Sequence, residues 1–249
     1  MIVRIATWNL NTWINRTKKN ISTDDVWKWA DDNLRADLVI FTEAPITPPS
    51  TSLREWSFAV RPGGLPGRSK WGTIVAGERV RVDRVTHVGN HELDRAFPGF
   101  LTAADTSIGG RPFATVVGLY VPYRKDANKK IISRPESDLQ LMADDLRILQ
   151  ADRDRSLVVA GDLNHVTSHV PSSLRGLGRR RHRLIDPFAW SGGATFRQDW
   201  RDGKDFRMDY LLLSRDLHKC VVSRRGGIAD FPESLRWSDH APLLVEIDW

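Results

Sequence analysis

Residues 157–160, Leu-Val-Val-Ala, form an unbroken apolar run that stops at Gly161 and delivers Asp162 and Asn164. Four apolar residues in succession suit a strand covered on both faces, although periodicity alone leaves a buried helical segment open. The short run and the glycine after it favour the strand, because glycine lets the backbone turn sharply or approach a ligand closely. If the chain stays extended, Asp162 and Asn164 share a face and aim a carboxylate and a carboxamide at one spot. Taken alone, the same residues also read as a plain strand-to-loop turn, since Gly, Asp and Asn are turn formers. The pattern recurs. Residues 3–7 lead into Trp8-Asn9-Leu10-Asn11, where two amides again sit two apart, and residues 38–41 lead into Glu43.

The remaining elements place these strand ends in a fold. Residues 22–36 read as a helix, with Ser22 or Thr23 as cap, Asp24 and Asp25 at its positive end, and Val26, Ala30 and Leu34 on one stripe. A second helix follows Ser133 and Glu136, which make a capping box, and carries Leu139, Met142, Leu146 and Leu149 as its apolar stripe. Residues 45–52 and 61–70 are loops by composition, and residues 123–132 are another loop. Strand-like segments occupy residues 56–60, 71–76, 80–88, 100–104, 113–121, 184–188, 208–213 and 243–247. Val80, Val82 and Val88 alternate with polar residues, the mark of an antiparallel strand with one wet face. Two helix-carrying halves flanking mostly antiparallel strands imply an α/β (α+β) chain: two sheets packed face to face with helices outside. Length alone leaves one core or two open. No short repeat or low-complexity segment divides the chain, and one catalytic domain over residues 1–249 is expected.

Charge and cysteine content narrow the setting. The net charge of +6 and pI of about 9.7 suggest an anionic partner. Cys220 is the single cysteine, so no internal disulfide can form. The opening segment lacks the apolar stretch of a signal peptide, and no run approaches the roughly 18 apolar residues of a membrane helix. A soluble, cytoplasmic protein with no membrane partner is the expectation.

The polar residues at strand ends are Asn9, Asn11, Glu43, Tyr120, Asp162, Asn164, Asp209, Asp239 and His240. Carboxylates and amides favour a hard cation such as Mg2+, with Mn2+ possible, and the usual zinc patterns are absent. An Asp-His pair also invites a Ser-His-Asp hydrolase reading, but no GxSxG elbow exposes a serine.

Together, Ala6-Thr-Trp-Asn-Leu-Asn11, the Glu43 of VIFTEA, GLYVP around Tyr120, GDLN at Gly161, RMDYLLLS around Asp209 and WSDHAPL from Trp237 resemble the endonuclease/exonuclease/phosphatase superfamily. These pieces span residues 6–243 in family order. The resemblance implies a four-layered α/β/β/α sandwich with the site at one end of the two sheets. It implies that Glu43 is the principal metal ligand, with Asn9, Asn11 and Asp239 around the metal or the scissile phosphate. It gives Asp162 the task of orienting and deprotonating the attacking water, with Asn164 beside it. Asp209 would hold His240 against a phosphate oxygen, and Tyr120 would lie against the phosphate or leaving group. Two departures matter. Thr42 precedes Glu43 where many members carry Gln, and Tyr123 stands where abasic-site enzymes usually carry Asn, so contacts specific to damaged DNA do not follow.

For the substrate, residues 175–183 hold five arginines and His182, and Arg179, Arg180 and Arg181 are candidate phosphate contacts. The same run also reads as a solvated helix end or loop. Tyr123, Arg124 and Lys125, with Lys129 and Lys130 nearby, form a second candidate substrate-binding cluster. Of ten tryptophans, Trp71, Trp190, Trp200 or Trp237 can stack on bases, while most are core. The leading expectation is a metal-dependent nuclease acting on DNA or RNA. The alternatives are a phosphatase or phosphodiesterase on inositol phosphates or phospholipid headgroups, and an inactive nucleic-acid- or partner-binding member of the fold.

Overall fold

The computed structural model describes residues 1–11, 22–45, 57–62, 71–95, 98–122, 135–152, 155–165, 171–175, 177, 183–189, 193–197 and 205–249. The first third of the chain forms β1 (Ile2–Asn9), β2 (Leu38–Pro45), β3 (Ser57–Pro62) and β4 (Trp71–Gly77). The middle forms β5 (Arg81–Val85), β6 (His87–Val88), β7 (His91–Glu92), β8 (Leu101–Ile108) and β9 (Arg111–Tyr120). The rest forms β10 (Leu157–Asp162), β11 (Leu184–Ile185), β12 (Phe196–Arg197), β13 (Asp205–Phe206), β14 (Asp209–Ser214), β15 (Val221–Gly226) and β16 (Leu243–Asp248).

Two six-stranded sheets result, in the orders β15-β16-β1-β2-β4-β3 and β11-β14-β10-β9-β8-β5. Each is antiparallel except for one central parallel pair, β1 with β2 in the first sheet and β9 with β10 in the second. A parallel pair needs a crossover, and a helix supplies it each time: α1 (Thr23–Leu34) and α2 (Pro135–Asp152). Helix α1 starts where the Ser22 hydroxyl accepts the Asp25 N–H at 3.1 Å and stops at Arg35, which turns left-handed at φ 46°.

Alternation along the strands builds three apolar layers. Val3, Ile5, Ile40, Val158, Ala160, Leu211 and Val245 meet between the sheets. Ala6, Trp8, Val39 and Phe41 face Val26, Trp27, Ala30 and Leu34 of α1. Val117, Leu119, Val159 and Leu212 face Leu139, Met142, Leu146 and Leu149 of α2. The order helix, sheet, sheet, helix is the four-layered sandwich expected from the sequence. Each large side chain buried this way stabilises the fold by about 2 kcal/mol. Among the described residues no helix is long and apolar enough to cross a membrane.

Three segments depart from the expected pattern. The strand expected over residues 80–88 is broken: β5 ends at Val85 opposite Ala103, and β6 pairs instead with β7 through a turn at Gly89, φ 57°. The strand expected over residues 184–188 stops at Ile185, because the Asp186 carboxylate accepts the Phe188 N–H at 2.9 Å and turns the chain. Strand β15 carries three polar residues, Ser223, Arg224 and Arg225, on a sheet edge, so no apolar pattern announces it.

Candidate active site

β1 and β10 end in the same turn. At the end of β1 the Asn9 Oδ1 accepts the Asn11 N–H at 2.9 Å, and at the end of β10 the Asp162 Oδ1 accepts the Asn164 N–H at 2.8 Å. Asn11 and Asn164 sit in the left-handed region at φ 40° and 47°, which Asn tolerates better than most residues. The expectation that Asp162 and Asn164 share a face of an extended chain is therefore corrected. Asn164 is folded back on Asp162, its Nδ2 lying 3.2 Å from Asp162 Oδ2 and 2.8 Å from the Val121 carbonyl. Gly161 permits this at φ 137°, where any Cβ would lie 2.0 Å from the Leu119 carbonyl oxygen.

The two turns meet across the gap between the sheets. The Asn9 Nδ2 donates to Asp162 Oδ2 at 2.9 Å and reaches Glu43 Oε1 at 3.5 Å. Asn11 Nδ2 donates to Asp239 Oδ1 at 2.6 Å. Glu43 reaches this place by an irregularity. Phe41 pairs with Ile74 and Ala44 with Gly72, so three steps on β2 span two on β4. Phe41 packs on α1, and strict alternation would send Glu43 to the same side. The bulge, with Glu43 left-handed at φ 46°, turns the carboxylate towards Asn9 instead. A non-glycine residue held there costs about 1 kcal/mol or more, a strain that concentrates at functional sites.

Asp209 opens β14 directly opposite Asp162. Its Oδ2 lies 2.8 Å from His240 Nδ1, and both side chains are buried. An acceptor on Nδ1 keeps a proton on that nitrogen and leaves Nε2 3.8 Å from Asp239 Oδ1. Tyr120 ends β9 opposite Asp162 and its hydroxyl bonds to Glu43. The structure thus brings together Asn9, Asn11, Glu43, Tyr120, Asp162, Asn164, Asp209, Asp239 and His240. The predicted contacts Tyr123, Arg124, Lys125, Arg179, Arg180 and Arg181 lie outside the described residues.

Burial raises the Glu43 carboxyl, outweighing the Tyr120 hydrogen bond and nearby His240, and Asp239 adds to the rise. Burial likewise pushes Asp162 up, opposed by His240. Burial works against a charged His240, but Asp209 outweighs it and, with Asp162 and Asp239, holds the imidazole up to about 10. The residues fit a hard divalent ion. Glu43 and Asp239 repel one another while neutral Asn and Tyr groups hydrogen-bond to them, and the metal-ligating atoms that these carboxylates and amides carry are oxygens. Among the described residues no three His, Cys, Asp or Glu side chains form a ready cage. Two carboxylates with amides and water are the kind of set on which Mg2+ sits.

Several residues that complete the site were not singled out in the sequence. The Ser238 hydroxyl donates to the Asn9 carbonyl at 2.7 Å and accepts the His240 N–H at 3.1 Å. The Thr195 hydroxyl accepts the N–H groups of Met208 and Asp209, each at 3.0 Å. Phe196 lays its ring 4.9 Å from the His240 ring, centroid to centroid. Ser238 sits inside the WSDH motif, whereas Thr195 and Phe196 carry no local signal.

No protein-family model and no curated protein sequence matches this chain. Solved structures do. A 3′ phosphatase from Neisseria, bound to a product DNA hairpin, superposes with a TM-score of 0.69 at 18% identity, covering 99% of this chain and 100% of that one. An AP endonuclease from Archaeoglobus fulgidus gives 0.63 at 19%, covering 99% and 100%. D. rerio TDP2, complexed with a single-strand DNA product, gives 0.64 at 13%, covering 100% and 99%. The chain has the endonuclease/exonuclease/phosphatase fold.

Proposed function

We propose that this chain, built on the endonuclease/exonuclease/phosphatase fold, is a divalent-metal-dependent phosphodiesterase that hydrolyses nucleic acid, with DNA as the leading substrate. The observation that carries this is the convergence from both sheets of Asn9 hydrogen-bonded to Glu43 and Asp162 and of His240 hydrogen-bonded to Asp209, which pairs directly opposite Asp162. The DNA bound in two similar structures and the basic balance of the chain support the substrate class.

Glu43 and Asp239 would hold Mg2+ or Mn2+, with Asn9 and Asn11 alongside. A bound divalent ion supplies charge neutralisation at the phosphate and at the departing oxygen. Asp162, raised by burial, is suited to accept a proton from the attacking water, and the Asn9 and Asn164 amides fix its direction. His240 is held by Asp209 through Nδ1 with Nε2 beside Asp239, where an imidazolium would stabilise growing negative charge on a phosphate oxygen. Tyr120 restrains Glu43. No covalent intermediate on the protein is needed.

The test is a panel of single-stranded, duplex, abasic-site and 3′-phosphorylated DNA, together with RNA, incubated with Mg2+ or EDTA. Mg2+-dependent cutting of DNA is expected. Intact nucleic acid throughout, with folding verified by circular dichroism, overturns the reading. Release of phosphate from 3′-phosphorylated DNA alone favours a phosphomonoesterase, a second reading supported by the similar 3′ phosphatase.

A further inference from the structure

Behind Tyr120 lies a buried clamp centred on Asp94. Asp94 is 3% exposed and left-handed at φ 62°, a conformation a non-glycine residue keeps only where its surroundings hold it there. Its own N–H donates to Asp145 Oδ2 of α2 at 2.8 Å, and Asp145 Oδ1 meets His91 Nε2 at 2.6 Å. Each Asp94 oxygen then takes a backbone N–H on either side of Phe100. Oδ2 accepts from Gly99 at 2.6 Å and Oδ1 from Leu101 at 3.0 Å.

Phe100 is thereby fixed, and Tyr120 is fixed on it. The Phe100 carbonyl accepts the Tyr120 N–H at 2.8 Å, and the Gly99 carbonyl accepts the Thr73 N–H at 3.2 Å, joining the second sheet to β4 of the first. The Phe100 and Tyr120 rings lie 5.4 Å apart, and Trp71 closes an aromatic trio at 5.7 Å from Phe100 and 5.4 Å from Tyr120. A tyrosine packed by two rings has little freedom to swing its hydroxyl.

We infer that Asp94 is a positioning residue of the site: by bracketing Phe100 it holds the Tyr120 ring, and so directs the Tyr120 hydroxyl at Glu43. The inference rests on the reading of the site as a metal-dependent phosphodiesterase. Asp94 acts only through Phe100 and Tyr120. Groups that orient a metal ligand in this way influence metal affinity or turnover by about tenfold to a hundredfold.

The experiment compares Asp94→Asn, which removes one of the two acceptors, and Phe100→Leu, which leaves the clamp but removes the ring, each in the native and the Tyr120→Phe background. Hydrolysis of bis(p-nitrophenyl) phosphate with Mg2+ gives kcat and KM, and the rise in melting temperature on adding Mg2+ gives a readout independent of turnover. Expected is an about tenfold fall in kcat with KM nearly unchanged for each variant, and no further fall in the Tyr120→Phe background. Additive losses in that background, or a lower melting temperature with native kcat, overturn the inference. If Asp94→Asn does not fold, Asp94→Ser, which keeps a single acceptor on a smaller side chain, decides by the same criteria. If the unsubstituted protein hydrolyses nothing, the proposed function fails, and the Mg2+-induced rise then decides about Asp94. A smaller rise in both Asp94→Asn and Phe100→Leu, absent as a difference when Tyr120→Phe is also present, supports the inference, and an equal rise in Asp94→Asn contradicts it.

Discussion

The turn at Asn9-Leu10-Asn11 and the turn at Asp162-Leu163-Asn164 are nearly the same piece of backbone in two different sheets. In each, an oxygen of the first residue accepts the N–H of the third, and the third is left-handed. In each, the leucine N–H is received by a neighbouring strand or its approach, Leu10 by the Thr42 carbonyl and Leu163 by the Met208 carbonyl, both at 3.0 Å. The difference is one group. Asn9 has an NH2 to donate and uses it on Asp162 and Glu43, whereas Asp162 can only accept unless it is protonated. One turn thus organises the carboxylates, and the other supplies the carboxylate proposed to take a proton. Position in the fold sets where both turns stand, and the side-chain atom sets what each can do.

The largest effect comes from making the turns alike. Asp162→Asn retains an oxygen for the Asn164 N–H, so the turn survives while the base is lost, and kcat should fall by about a thousandfold, within the range of general-base catalysis. Steady-state hydrolysis checks this, and a fall of less than tenfold would place the base elsewhere. Glu43→Gln should follow. Loss of the carboxylate proposed to hold the metal should remove the Mg2+-induced rise in melting temperature and lower activity by about a hundredfold at fixed Mg2+. The reverse exchange, Asn9→Asp, keeps the turn oxygen but sets a third carboxylate against two others. It should destabilise the metal-free protein by about 1–3 kcal/mol at neutral pH, read from urea unfolding.

The carboxylate turn also predicts a pH dependence that the amide turn does not. Glu43 and Asp162 both have folded values above their ordinary values of 4.5 and 3.8, the latter reaching about 8. A carboxyl raised in the native state binds more protons folded than unfolded, so ∂ΔG/∂pH is negative between the two values. Stability of the metal-free protein should be greatest near pH 4 and decline as pH rises towards 8, and Glu43→Gln and Asp162→Asn should each flatten the decline. Melting temperatures in EDTA across that range check it, and a curve that rises with pH contradicts it. The smallest effect is expected at Trp71, half-buried against Tyr120. Trp71→Ala should raise KM for an oligonucleotide by about fivefold, equivalent to about 1 kcal/mol of lost stacking, read from steady-state cleavage.

Much of this was legible in the sequence because strand ends are written in short patterns. The apolar runs before Asn9 and Asp162 identify β1 and β10, and the recurring polar pair two residues apart identifies the turns. The layers were legible too, since α1 and α2 carry clear apolar stripes. The conformation of the turns was not, because an extended chain and a left-handed Asn leave the same letters. Nor was the side on which Glu43 emerges, because a bulge between Phe41 and Ala44 reverses what alternation predicts. Asp94, Thr195 and Phe196 had no signal at all, as each acts through contacts that no local pattern marks: Asp94 on the backbone around Phe100, Thr195 on Asp209, and Phe196 on His240.

The central claim is that Asp162, set by its turn and by the Asn9 amide, takes the proton from water attacking a phosphodiester. Single-turnover cleavage of an end-labelled DNA strand by the native protein and by Asp162→Asn, each with Mg2+ and with DNA binding measured in parallel, tests it most directly. The prediction is cleavage by the native protein that EDTA abolishes, and loss of cleavage by about a thousandfold in Asp162→Asn with DNA affinity kept. Equal rates in the two proteins, or cleavage that persists in EDTA, would contradict it.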